Sequence, residues 1–197
     1  MDKLIARTTV SPNFFSESLF PVRFPSLHVS ELPLSGIIRI QGSSESRAFR
    51  SGVASTLGIQ LPAPERMSGG GDVKLAWAGP NEYLCFCSLE NEEKCKSMLE
   101  EALAGEFSTV TVVSDSRVAF FVAAEDAPAL VAKGCSIDMH PSAFAAGHVV
   151  TTRFAGLPAM LVHRNVSEYV LYFDVAYTEF IVKWLMDAAG EFAEHAV

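Results

Sequence analysis

The run Lys133-Gly134-Cys135-Ser136-Ile137-Asp138-Met139-His140-Pro141 gathers the side chains best able to do chemistry: an amine, a thiol, a carboxylate and an imidazole. Cys135 as a nucleophile would need a depressed pKa and a positioned base, and Lys133 and His140 are the neighbours that could supply them. A structural loop cysteine is the competing reading. Asp138, His140 and His148 are metal-ligating residue types, but their spacing matches no recognised ligand pattern. An aspartate and a histidine that bond the backbone of a tight turn fit the run better. Upstream, Asp115 and Arg117 either pair or divide between capping a strand end and meeting a partner. As an exposed pair they would contribute under about 1 kcal/mol, so their value would lie at an interface. Asp115, Arg117, Asp138 and His140 are therefore the expected interface residues, and no catalytic, cofactor-binding or metal-ligating residue is assigned.

The other chemical signatures are missing from the sequence. Gly69-Gly70-Gly71 lacks the Gly-Lys-Ser/Thr of a phosphate loop and reads as a connector, and no G-x-G-x-x-G occurs. Neither a G-x-S-x-G elbow, an H-E-x-x-H nor a C-x-x-C is present. Trp77 and Trp184 sit at core-like positions of a strand and a helix. So sparse a polar roster favours binding or assembly over a self-contained active site.

The elements that must position these residues follow from periodicity. Residues 1–35 carry Pro12, Pro21, Pro25 and Pro33 among Phe14, Phe15, Phe20 and Phe24. Prolines at that density break helices. The segment is expected as an extended arm, strapped over its own domain or docked on another subunit. From Gly36 the chain is regular. A strand at 37–40 precedes a helix capped by Ser43 or Ser44, with Phe49, Val53 and Leu57 on one face and Gly58 as its stop. Strands at 73–77 and 83–87 flank a turn, and a helix with Cys95, Met98, Leu99, Ala102 and Leu103 on one face runs to Gly105. Strands at 110–113 and 118–122 follow. Asp126 caps a short helix ending at Gly134. Strands near 148–154, 158–163 and 168–173 lead to a last helix at 175–189.

Strand, helix, strands, helix thus occurs twice, at about 36–104 and 117–189. The expected fold is α+β, a single 36–197 domain of two related lobes from an internal duplication, with helices on mostly antiparallel sheet.

Composition narrows the partners. The chain of 197 residues has a net charge of −8, 49% hydrophobic residues and 19% charged ones. Average globular proteins carry ~25% charged residues, so the deficit points to surface covered by something else. The acidic balance argues against nucleic acid or an anionic membrane as partner. No apolar run approaches the ~18 residues of a transmembrane helix, and no secretory h-region is visible. Cys85 and Cys87 share a strand face, a poor geometry for bonding each other. With Cys95 and Cys135 they read as reduced thiols in the cytoplasm.

Ser114-Asp115-Ser116-Arg117, the run from Gly134 to Pro141 with Phe144 and Gly147, and Trp77-Ala-Gly-Pro-Asn-Glu-Tyr-Leu84 together resemble the gamma subunits of heterotetrameric sarcosine oxidases. The resemblance covers roughly residues 36–190 and includes the final aromatic helix. It implies a fold like the folate-binding module of the glycine-cleavage aminomethyltransferase. It further implies a subunit of an oxidoreductase acting on CH–NH donors, not itself catalytic, that docks chiefly on the alpha subunit alongside beta and delta. That assembly converts sarcosine to glycine, forming hydrogen peroxide and methylene-tetrahydrofolate. FAD, FMN, NAD, tetrahydrofolate and zinc are expected in the other subunits and none on this chain. The alternative is a free-standing folate-binding protein or one-carbon transferase. Related folate proteins of iron–sulfur assembly carry Lys-Gly-Cys followed by an aromatic and Gly-Gln, whereas here Lys133-Gly134-Cys135 continues Ser-Ile-Asp.

Overall fold

In chain order, the computed structural model begins with two short strands, β1 (Val22–Phe24) and β2 (Leu27–Glu31). It describes residue 10 and residues 20–195. Next come β3 (Gly36–Gly42), α1 (Arg47–Leu57), β4 (Met67–Gly70), β5 (Val73–Gly79), β6 (Glu82–Cys87), α2 (Glu92–Ala102) and β7 (Ser108–Val112). The remainder is β8 (Arg117–Ala123), α3 (Ala127–Gly134), β9 (Val149–Phe154), β10 (Leu157–Asn165), β11 (Glu168–Asp174) and α4 (Thr178–Ala189). These form two units. Ser35–Asp115 is the central unit; the segments Met1–Leu34 and Ser116–Val197 make the flanking unit.

The central unit is a sheet in the order β4-β5-β6-β3-β7. Alternation turns Ile38, Ile40, Leu75, Tyr83 and Cys85 to one face, where Phe49 and Val53 of α1 and Leu99 of α2 close the core. Helix α1 starts at Ser46, not at Ser43 or Ser44: the Ser46 hydroxyl accepts from Phe49 N at 3.2 Å. Ser44 instead donates its N–H to the Asn81 side chain at 2.8 Å. Gly58 ends the helix in the left-handed region, its N–H reaching Ala54 O. On α2, Leu99 and Leu103 are buried, while Met98 and Ala102, expected on the same face, are exposed. The three glycines expected as a connector partly form β4, an edge strand paired to β5 from Met67 to Gly70. Glycine carries no strand signal because it has no side chain to pack.

The flanking unit is a sheet in the order β1-β2-β8-β11-β10-β9. Its core joins Phe120, Val122, Leu161, Leu171 and Phe173 to Leu130 of α3 and Ile181 and Leu185 of α4. Residues 22–31, expected as part of an extended arm, belong to this sheet. Strand β2 pairs with β8 from His28↔Ala123 to Glu31↔Phe120, and Leu27 and Val29 are fully buried. Phe20 meets Phe120 edge-on at 6.1 Å. Phe14 and Phe15 lie outside the described residues. All recorded strand pairings are antiparallel, which makes the fold α+β.

Both sheets are apolar on their second faces too. Ile37, Ala76, Leu84 and Phe86 are buried in one, and Met160, Val162 and Val170 in the other. Sheets buried on both faces consume apolar residues in near-continuous runs, which accounts for much of the charge deficit. Among the described residues no helix is long and apolar enough to cross a membrane.

Candidate functional site

The segment after α3 is the one singled out from its residue types, and the structure occupies nearly every group in it. Lys133 Nζ lies 2.7 Å from the Glu191 carboxylate and donates to Ala188 O at 3.1 Å, closing the end of α4. Gly134 has the Phe154 ring against it: a Cβ there would sit 2.3 Å from that ring. Cys135 directs its S–H to Val131 O at 3.5 Å, and burial raises its pKa. A thiol held protonated against a helix carbonyl is a structural cysteine, not a nucleophile.

Asp138 and His140 are brought together as a turn. Asp138 Oδ1 accepts from His140 N at 2.9 Å, and His140 Nδ1 accepts from Ser142 N at 3.3 Å, with Ser142 Oγ 2.7 Å away. Their outer surfaces are exposed. Beneath the turn, Phe144 is buried and stacks on His163, centroids 5.5 Å apart; Tyr169 stacks with His163 at 4.5 Å. His163 Nδ1–H donates to Phe144 O at 2.7 Å, leaving Nε2 buried without a partner. This imidazole was not foreseen. Its position on β10, facing Tyr169 in strand register, was the available signal.

Ser114-Asp115-Ser116 forms a 3-10 turn before β8. Buried Ser114 accepts from Ile37 N at 2.8 Å, and its hydroxyl donates to the Glu92 carboxylate. Asp115 is exposed. Arg117 stands opposite Asp174 in the β8–β11 register, but Asp174 caps Ala176 N at 2.9 Å, and Arg117 Nε is buried without a hydrogen bond.

The central unit opens a cleft of about 720 Å³ between the start of α1, the Pro62–Pro64 loop and the β5–β6 turn. Trp77, Tyr83, Arg50 and Asn81 line it. Trp77, expected in the core, is half-buried there. Burial raises the Tyr83 pKa, with a Ser44 hydrogen bond opposing. Arg50 Nη1 donates to the Ser44 and Glu45 carbonyls, which fixes the guanidinium at the rim. Among the described residues no cluster of three or more His, Cys, Asp or Glu is arranged to hold a metal ion.

Comparison with known proteins adds a family. A model described as "Sarcosine oxidase, gamma subunit family" matches residues 41–191. The chain is 29% identical over 164 residues to a sarcosine oxidase subunit gamma from Arthrobacter sp., covering 82% of this chain and 78% of that one. The same subunit of Corynebacterium sp. (strain P-1) is likewise 29% identical, over the same shares of the two chains. A chain of the heterotetrameric sarcosine oxidase from Corynebacterium sp. U-96, solved in complex with pyrrole 2-carboxylate, superposes with a TM-score of 0.85 at 22% identity. That match covers 95% of this chain and 96% of the other. Glycine cleavage system aminomethyltransferase T from Bartonella henselae superposes at 0.59 with 11% identity, over 84% of this chain and 46% of that one. These two likenesses show the fold alone, the α+β architecture shared with that oxidase chain and with the aminomethyltransferase.

Proposed function

This chain belongs to the sarcosine oxidase gamma subunit family, and on that premise we propose that it serves as the gamma subunit of a heterotetrameric oxidase, supporting assembly with the large alpha subunit. In that role it contributes no reacting group. The assembly demethylates sarcosine oxidatively to glycine with formation of hydrogen peroxide and methylene-tetrahydrofolate. FAD, FMN, NAD, tetrahydrofolate and zinc belong to the other subunits, and the complex works in the cytoplasm.

The observation that carries the non-catalytic reading is the spending of polar groups on the fold. Lys133, Cys135 and His163 each bond within the flanking unit, so the residues best suited to chemistry are committed to structure. Apolar surface supports the partner. Phe107, Val166 and Phe180 are exposed by 103%, 83% and 51%, the kind of anchor an obligate interface covers. Asp115, Arg117, Asp138 and His140 are assigned to the contact with alpha.

A tagged chain recovered from its native cell tests this. Large co-purifying subunits with flavin absorption bands are expected, since the chain has no flavin motif of its own. A lone, colourless protein would overturn the assignment. Alanine at each of the four contact residues should lower recovery of the complex while leaving the chain folded, and undiminished recovery would remove that residue from the interface.

A further inference from the structure

Three of the four cysteines lie in the central unit, and the fold gathers them into one layer. Cys85 and Cys87 leave β6 on the helix-covered face, and Cys95 sits in the first turns of α2, the helix laid on that face. Cys95 packs against the buried cluster that holds both strand thiols. Gly36 makes room for the arrangement: a Cβ there would lie 2.8 Å from Cys87 Sγ and 2.9 Å from Glu92 Cβ, so Cys87 stands against the start of α2. Cys85 and Cys87 are poorly placed to join each other. Side chains two apart on a strand are about 6.7 Å apart, against the roughly 3.5–4.5 Å Cβ separation of a disulfide. Exposure divides the roles: Cys85 is fully buried, Cys87 nearly so, and Cys95 is half-buried at the water side.

We propose that Cys95 is a peroxide-oxidised modification site resolved by Cys87, so that the central unit carries a reversible Cys87–Cys95 disulfide.

Cys85 is the positioning thiol. Its interaction with Cys95 is the main cause that lowers the Cys95 pKa to about 7, Cys87 adding to it, while Cys85 itself is pushed up. Cys95 is thus shifted toward the thiolate, the form that attacks peroxide, while Cys85 and Cys87 are shifted away from it. The Cys95 sulfur takes one peroxide oxygen: an S–O bond forms, the O–O bond breaks, and the other oxygen leaves as water after protonation. Cys87 sulfur then attacks Cys95 sulfur. The S–S bond forms, the S–O bond breaks, and hydroxide leaves with the Cys87 proton as a second water. Two thiols lose two electrons, and one peroxide is reduced to two waters. On the function proposed above, the oxidant is the assembly's own product, yet the chemistry needs only a peroxide. Cys135, alone in the flanking unit and held to Val131 O, is the internal control that stays reduced.

The test treats the reduced full-length chain with equimolar hydrogen peroxide and counts alkylatable thiols by mass spectrometry. Four should fall to two, with the tryptic peptide Leu75–Lys94 joined to Cys95–Lys96. Fragmentation between Cys85 and Cys87 assigns the bond in the native sequence, so the result does not hang on a variant folding. Dithiothreitol should restore all four thiols. Cys95→Ser should slow peroxide consumption about tenfold and abolish the link, and Cys85→Ser should keep the link but slow its formation. Four thiols surviving peroxide, oxidation confined to Cys135, or a bond from Cys95 to Cys85 would each overturn the assignment. None of these readouts depends on flavin or on the other subunits.

Discussion

The central and flanking units repeat one plan with one difference in how the chain supplies it. The central sheet reads β4-β5-β6-β3-β7, and the flanking sheet reads β9-β10-β11-β8-β2, with β1 added at the edge. Strands β6 and β11 begin at Glu82 and Glu168, their following 3-10 turns at Leu89 and Val175, and α2 and α4 at Glu92 and Thr178. Each pair is set apart by the same interval. The hairpin irregularities also coincide, between Trp77 and Gly79 in one unit and His163 and Asn165 in the other. The difference is the fifth strand. In the central unit it follows α2 in sequence; in the flanking unit it comes from residues 27–31, before the central unit begins. A duplicated sheet needs its edge filled, and chain order does not matter to the hydrogen bonds that fill it.

Deleting residues 20–31 gives the largest expected effect. It strips β8 of one of its two neighbours, leaving β11, and opens the pocket of Leu27 and Val29, each worth about 1.5–3 kcal/mol of burial. Hydrogen exchange should show the β2-facing amides of Phe120–Ala123 losing protection while β3 keeps its own. Full protection of β8 would break the equivalence of β2 and β7. A milder form compares single side chains. Val29→Ala should cost about 2 kcal/mol, and Val110→Ala on half-exposed β7 under about 1 kcal/mol, by chemical denaturation.

The helix stops sharpen the comparison next. Gly134→Ala drives a methyl into Phe154 and should cost about 1–3 kcal/mol. Gly58→Ala meets no atom within 4 Å, but its φ of 68° disfavours a side chain, for about 1 kcal/mol. Thermal unfolding of the two variants separates crowding from backbone strain.

How much of this was legible beforehand divides along the same line. Elements with local periodicity, such as Phe49 and Val53 on α1, were read correctly because their partners lie within a turn. Strand β2 was not, since Leu27 and Val29 are buried by β8, a partner far along the chain, and prolines on either side mask a five-residue strand. At the candidate site, the turn made by Asp138 and His140 was legible from residue type. His163 was not, because a histidine between aromatic rings takes its meaning from Phe144 and Tyr169, which no short window joins to it. The cysteine layer was half visible: Cys85 and Cys87 share a face by alternation, but Cys95 joins them only once α2 is laid on β6.

That layer also marks where the two units part chemically. At the positions of Cys85, Cys87 and Cys95 the flanking unit has Leu171, Phe173 and Ile181, an inert core. The central unit therefore carries a lowered thiol, whereas Cys135, Tyr169 and Tyr172 of the flanking unit are all raised by burial. Cys95 ionises in the fold below its ordinary 9.0, so the stability it adds is present above that value and is lost as pH falls through about 7. Cys87, raised to about 11 chiefly by burial, acts oppositely: its contribution holds below 9.0 and is lost as pH rises toward about 11. Iodoacetamide labelling should therefore reach half its limiting rate near pH 7 at Cys95 and only near pH 11 at Cys87. Coincident profiles would dissolve the distinction.

The smallest effect concerns the two equivalent hairpin turns. Asn81 and Ser167 both hold positive φ, at 59° and 53°. Glycine relieves that strain at either position, so backbone alone predicts equal stabilisation of a few tenths to about 1 kcal/mol. The side chains differ. Asn81 Oδ1 accepts the Ser44 N–H and ties the turn to the approach of α1. Ser167→Gly should therefore stabilise, whereas Asn81→Gly should be neutral or destabilising, since a lost hydrogen bond of about 0.5–1.5 kcal/mol offsets the relief. Denaturant midpoints of the two variants measure the difference directly. Equal stabilisation would mean that the Asn81 bond contributes nothing, and that the turns of the two units are interchangeable despite the cleft built on one of them.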